Sequence, residues 1–82
     1  MRMLDADRKH GVRILQLYLS PQEAEELRDG LTDLLRDPER NAHHHVSTDD
    51  MSRDISFSLV TPRKLADISR YTAVERKLLL EE

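Results

Sequence analysis

Apolar residues near the start of the chain follow the period of an extended strand. In GVRILQLYLS, residues 11–20, they fall on both sides of an extended chain, with Val12 and Ile14 on one side and Leu15, Leu17 and Leu19 on the other. Strands with apolar residues on both faces are typical of sheets that are at least partly covered. We therefore predict the first strand of a sheet here.

The next segment has the period of a helix. Ser20-Pro21-Gln22-Glu23 is a capping-box sequence, with proline at the first helical position. Apolar residues then recur at spacings of three and four, at Ala24, Leu27, Leu31 and Leu34. Asp37 precedes Pro38, and a residue before proline avoids the helical conformation. A helix is predicted over residues 21–36.

Two further segments predict a β-hairpin. In residues 54–60 apolar and polar side chains alternate strictly, as in a half-buried strand. A run of turn-forming residues, 47–52, precedes it. Residues 42–47 then form the first arm of the hairpin and residues 54–60 the second.

The two ends of the chain carry weaker signals. Residues 1–10 show no clear period and are expected to form a flexible arm. A helical turn is predicted near residues 62–67. Thr72-Ala73-Val74-Glu75 is a second capping box and predicts a short C-terminal helix over 72–80.

The predicted order of elements is β-α-β-β-α, in a single small domain spanning residues 1–82. The simplest assembly is an α+β two-layer sandwich, with a three-stranded, mainly antiparallel sheet and both helices on one face. The regular strand 54–60 is the better centre, which favours strand order 1-3-2. Order 3-2-1, with the first two strands parallel, is the alternative.

Composition narrows the function classes. The chain has no cysteine, which excludes a disulfide framework and a cysteine nucleophile. A net charge of −3 and only three aromatic residues argue against nucleic acid as a partner. The start MRMLDADRKH lacks the apolar stretch of a signal peptide, and no apolar run approaches the ~18 residues of a membrane helix. We expect a cytoplasmic protein without a cofactor. Because a core this small gives modest stability, we also expect a homodimer.

Three consecutive histidines carry the most distinctive chemistry. On a strand, His43 and His45 point to one face, while His44 and Val46 point to the other. Apolar Val46 should face the helices, which leaves His43 and His45 on the open face. Histidines at i and i+2 can share one metal ion, but zinc sites usually have four ligands. The further ligands would have to come from His10, Asp49 or Asp50.

A catalytic role for these histidines has less support. A histidine base needs a positioned nucleophile and an orienting carboxylate. Ser56 and Ser58 could lie across the hairpin from His43 or His45. The chain has only two glycines, and no glycine-rich elbow presents a nucleophile. We therefore expect no enzyme activity.

The open face of the predicted sheet is instead a candidate protein-binding or dimer-forming surface. It combines an aromatic and an aliphatic side chain with histidines and serines, a mixture common in interfaces. Its residues are Ile14, Tyr18, His43, His45, Ser56 and Ser58. The alternative is that the histidines are merely polar residues on a solvated strand.

The leucine-rich helix 21–36, the His43-His44-His45-Val46 strand and the alternating strand 54–60 resemble small uncharacterised bacterial α+β proteins of actinobacterial type. They are also similar to a family of immunity proteins that neutralise polymorphic toxins. In that family a leucine-rich helix leads into a His-x-His-apolar strand, which falls here on His43, His45 and Val46. The resemblance spans residues 12–60 and contains no catalytic motif. It implies binding to a partner protein rather than chemistry.

Overall fold

The computed structural model describes residues 1–81, and its elements are of both types. The chain runs β1 (Met3–Asp5), β2 (His10–Val12), α1 (Pro21–Arg36), β3 (His44–Ser47), β4 (Asp54–Phe57), α2 (Pro62–Ala66), a 3₁₀ turn (Ile68–Arg70) and α3 (Ala73–Glu81). The α+β class is therefore confirmed. The chain forms two compact units: residues 1–17 together with the chain from Pro62 onward, and residues 18–61.

The predicted three-stranded sheet of order 1-3-2 is wrong, and the two-layer sandwich built on it is wrong with it. Within the described residues there are two separate two-stranded antiparallel sheets, β1-β2 and β3-β4. The strand expected over residues 12–19 stops at Val12, whose partner is Met3. Residues 1–10, expected to be a flexible arm, thus contain β1 and the first residue of β2.

Local chemistry explains this early hairpin. The Asp5 side chain accepts hydrogen bonds from the backbone N–H groups of Asp7 and Arg8, both at 3.1 Å. The N–H of Lys9 reaches the Asp5 carbonyl at 2.7 Å. A strand from within the first ten residues closes a much shorter loop than one from beyond residue 50, so its closure entropy is smaller.

In the unit formed by residues 18–61, α1 packs against the hairpin. Its predicted capping box is confirmed: Glu23 N–H donates to Ser20 Oγ, and Ser20 N–H donates to the Glu23 carboxylate. Leu34 and Val46 form the core, at 3% and 4% exposure. The apolar stripe is narrower than predicted, because Ala24 and Leu31 remain exposed.

Gly30 lies where α1 comes closest to the hairpin. A Cβ at this position would lie 2.7 Å from Phe57 Cζ and 3.2 Å from His44 Cβ. The close approach of helix and hairpin therefore requires glycine at this position, although glycine is a poor helix former.

The hairpin pairs as predicted, with somewhat shorter arms. His44 lies opposite Phe57, His45 opposite Ser56 and Val46 opposite Ile55. In the turn, Asp50 accepts from the Ser52 hydroxyl (2.7 Å), the Ser52 N–H (3.0 Å) and the Thr48 hydroxyl (2.8 Å). These bonds hold the pKa of Asp50 at about 2, with the Ser52 hydroxyl as the main cause.

The other unit contains β1, β2, α2 and α3. The predicted C-terminal capping box is confirmed, since Glu75 N–H donates to Thr72 Oγ1 and Thr72 N–H to the Glu75 carboxylate. Leu78 of α3 is 7% exposed. Its carbonyl accepts a hydrogen bond from Arg2 Nε at 3.3 Å, which joins α3 to the start of the chain.

Residues 14–19, Ile-Leu-Gln-Leu-Tyr-Leu, belong to no helix or strand. We refer to them as the 14–19 segment. Ile14 and Tyr18 are 87% and 88% exposed, and the three leucines between 36% and 50%. The boundary between the two units falls within it, after Leu17.

Candidate functional site

The histidine face of the β3-β4 hairpin has the predicted alternation. His43 and His45 are exposed on the side away from the core, whereas Val46 is buried. The rings of His43 and His45 meet edge to face, with their centroids 4.9 Å apart. The i, i+2 spacing therefore brings the two imidazoles into contact.

Asp54 orients His45. Its carboxylate lies 3.0 Å from His45 Nδ1, and Ser47 Oγ donates to the same carboxylate. These two hydrogen bonds, that of Ser47 first, hold the pKa of Asp54 below its usual range. Because an ionised carboxylate only accepts, Nδ1 of His45 carries a proton, and in the neutral imidazole Nε2 is the nitrogen with the lone pair.

The two serines proposed as possible nucleophiles are placed differently. Ser56 lies directly across the ladder from His45, while Ser58 lies beyond the end of β4. No hydrogen bond in the described part of the chain joins either hydroxyl to a histidine. His45 and Asp54 therefore form an oriented imidazole without a nucleophile attached to it.

The candidate metal site has two histidine ligands, His43 and His45. Among the side chains that the structure describes, those of residues 1–80, no three of His, Asp or Glu are grouped so that they could hold one ion. Of the extra ligands considered, Asp50 is engaged by the turn hydroxyls, and His10 lies on β2. Any ion on His43 and His45 would need its remaining ligands from water or from another molecule.

On the other side of the hairpin, Asp33 of α1 forms a small charged cluster. It accepts from His44 Nε2 and from Arg40, each at 2.7 Å. These bonds, that of His44 first, hold the pKa of Asp33 below its usual range. His44 also stacks beside Phe57, with ring centroids 6.1 Å apart. The cluster ties the helix, the loop after it and β3 together.

The residues predicted to form one partner-binding sheet face do not all lie in one sheet. His43, His45 and Ser56 share the open face of the hairpin, with Ser58 just past its end. Ile14 and Tyr18 are not in this sheet, since their segment pairs with neither β3 nor β4. The single sheet face expected from the sequence is therefore wrong, and the partner-binding role of these residues stays a prediction. The apolar part of that surface lies in the 14–19 segment.

Two small cavities lie in the described part of the structure. One of about 100 Å³ lies between the start of α1 and the end of β3 and is lined by Ser20, Gln22, Glu23, Glu26, Ser47 and Asp49. Another, of about 220 Å³, is lined by Met1, Arg2, Met3, Val12, Arg13 and Leu78. Both are smaller than the ~300–1,000 Å³ typical of small-molecule sites.

Sequence reasoning missed Asp33 and Asp54 as partners of the histidines. Asp54 could have been found from the sequence, because a turn over residues 48–53 places it opposite Ser47. His45 lies on the same face of the hairpin as this pair. The contact of Asp33 with His44 depends on how α1 is rotated against the sheet, and no local pattern specifies that rotation.

Comparison with protein-family models, with curated proteins and with solved structures gave no match. None of the helices within residues 1–81 is long and apolar enough to cross a bilayer.

Proposed function

We propose that this chain is a small cytoplasmic protein–protein interaction domain, non-catalytic, that binds its partner through the 14–19 segment. The observation that carries the proposal is the near-complete exposure of Ile14 and Tyr18, at 87% and 88%. Large apolar side chains grouped on a surface mark interaction sites more often than singly exposed ones do.

The backbone of the segment supports the same proposal. No backbone–backbone hydrogen bond within the described chain involves residues 14–19. A run outside helices and strands with free N–H and C=O groups can extend and add to a strand of another molecule, where backbone pairing gives affinity and side chains give specificity. The 14–19 segment therefore offers both unpaired backbone groups and exposed apolar side chains, the two requirements of binding by strand addition.

An adaptor or an immunity role fits this mode of action. The immunity version rests on the resemblance of residues 12–60 that the sequence alone suggested, which implies binding to a partner protein. The 14–19 segment falls inside that range, as do His43 and His45. In that version the histidine face carries no chemistry.

The proposal is tested by capture from lysate of the native host, with a bait that carries no histidine tag. Tyr18→Glu places a charge in the segment, and Leu35→Glu is the matched control at an exposed apolar position of α1. A stoichiometric partner retained by the wild type and by Leu35→Glu, but lost with Tyr18→Glu, is the expected result. Capture by all three proteins, or by none, contradicts the proposal.

Metal binding is a second candidate function, and one observation favours it. The Asp54 carboxylate fixes Nδ1 of His45 and leaves Nε2 as the ligand atom. Metal-binding histidines commonly have such a carboxylate behind them. Together with His43, this gives two imidazoles held in contact.

Titration of tag-free protein with zinc by calorimetry tests this function. Binding that is lost in His43→Ala and in His45→Ala, weakened in Asp54→Asn and kept in His10→Ala would support it. Binding that is equal in all these proteins, or no heat at all, would rule it out.

A further inference from the structure

We infer that the partner of the 14–19 segment is a second copy of this chain, paired with it antiparallel so that Gln16 lies opposite Gln16 of the other copy. This inference rests on the proposed function and names the partner of the same site. It differs from the expected homodimer in its surface, because the contact uses the segment alone and not the histidine face.

The side chains of the segment complement themselves in this register. Antiparallel pairing about Gln16 places Ile14 opposite Tyr18 of the other copy, and this pair occurs twice. Aromatic and β-branched residues are favourable cross-strand partners. The glutamines meet on the two-fold axis, where their amides can donate to and accept from each other.

The second face of the ribbon is equally self-complementary. The same register places Leu15 opposite Leu17 of the other copy and Leu19 opposite its Arg13. Residues 14–19 contain no charged residue, no proline and no glycine. Nothing in the pairing therefore brings like charges together, and nothing removes a backbone donor.

The exposed apolar area of the segment sets the upper limit of the contact. With ~180 Å² for a fully exposed side chain of this size, the five apolar residues expose roughly 500–600 Å² per copy. Two copies bring at most roughly 1,100 Å² to the contact, just above the ~1,000 Å² expected of a biological interface. The two-fold symmetry makes the contact isologous, so the same edge of the segment is used in both copies.

The small core gives the pairing a thermodynamic reason. In the described chain the buried apolar residues are Leu34, Val46 and Leu78. Domains of this size commonly gain stability by association when they have neither disulfide nor metal. Isolated two-stranded sheets are only marginally stable. Pairing of the 14–19 segments of two copies would order further backbone.

Cysteine cross-linking tests the inference directly, because the chain has no cysteine of its own. Directly opposite residues of antiparallel strands have Cα atoms ~4.5–5.5 Å apart, which a disulfide can span. Gln16→Cys should therefore oxidise to a covalent dimer at micromolar protein about tenfold or more faster than a control, because pairing holds the thiols at an effective millimolar concentration. Gln22→Cys, an exposed glutamine of α1, is the matched control.

Sedimentation of the wild type and of Gln16→Pro completes the test. The wild type should shift from monomer to dimer with concentration, and Gln16→Pro should stay monomeric with an unchanged far-UV spectrum, because proline removes a pairing N–H outside any helix or strand. Equal oxidation of the two cysteine variants, or a wild type that is monomeric throughout, overturns the inference. A monomer that still captures a different protein through Tyr18 overturns it but leaves the proposed function standing. A monomer that captures nothing overturns both.

Discussion

Nε2 of His44 on β3 donates a hydrogen bond to the Asp33 carboxylate on α1 over 2.7 Å, eleven residues earlier in the chain. This bond crosses from the helix to the sheet beside the buried pair Leu34 and Val46. Arg40 bonds the same carboxylate from the loop between them. One acidic side chain therefore fixes the position of α1 on the hairpin that carries His43 and His45.

Asp33→Asn should lower stability at neutral pH, since the amide has no charge for His44 and Arg40 to contact. The pKa of Asp33 is depressed in the folded state, so its contribution is present above the usual aspartate range and is lost as pH falls through the folded pKa. The melting temperatures of variant and wild type, followed by circular dichroism, should converge in acid. Asp29→Asn, which removes a charge from the same helix, is the control. A pH-independent gap, or no gap at pH 7, contradicts the role given to Asp33.

Gly30→Ala should destabilise the protein despite the better helix propensity of alanine. Propensity contributes about 1 kcal/mol in favour of alanine, whereas overpacking costs about 1–3 kcal/mol. The added methyl would lie 2.7 Å from Phe57 Cζ, so a net loss of about 1 kcal/mol is expected by urea unfolding. Adding Phe57→Leu to Gly30→Ala should recover part of the lost stability, because the smaller side chain makes room for the added methyl group. A Gly30→Ala protein more stable than the wild type would show that the helix can move away from the hairpin freely.

Ser20→Ala should cost about 1 kcal/mol of stability, because it removes the acceptor for the Glu23 N–H at the start of α1. Ser58→Ala, an exposed serine outside any element, should change little. Urea unfolding of both variants measures the difference. Equal effects at the two positions would mean that the cap does not stabilise the helix.

The turn of the hairpin offers a titration test. The Asp50 carboxyl should titrate with a pKa of about 2, and Ser52→Ala should raise that value towards 3.8, because the Ser52 hydroxyl is its main cause. Since the folded pKa is lowered, the turn is stabilised above pH 3.8 and loses this contribution as pH falls through about 2. Carbon-detected NMR of the side-chain carboxyl follows the change. A midpoint unaffected by Ser52→Ala would contradict the assignment.

Local patterns predicted the elements well and the tertiary arrangement poorly. Ser20 with Glu23 and Thr72 with Glu75 specify helix starts through bonds within four residues, and those starts are confirmed. The hairpin 42–60 is likewise set by its turn. The predicted three-stranded sheet was wrong because the alternation in residues 12–19 shows that a strand could form there but does not specify its neighbour. Of these residues Val12 pairs, with Met3 of β1. The histidine faces follow from strand alternation, whereas the contact of His44 with Asp33 depends on helix rotation.

Amide hydrogen exchange of residues 14–19 at two protein concentrations measures the pairing of the segment with a second copy. Exchange near the unprotected rate is expected in dilute protein and marked slowing in concentrated protein, with Leu34 and Val46 protected at both concentrations. Protection of the segment even in dilute protein would place it in a sheet of its own chain, and fast exchange at both concentrations would leave it without a second copy to pair with. Either result would contradict this pairing.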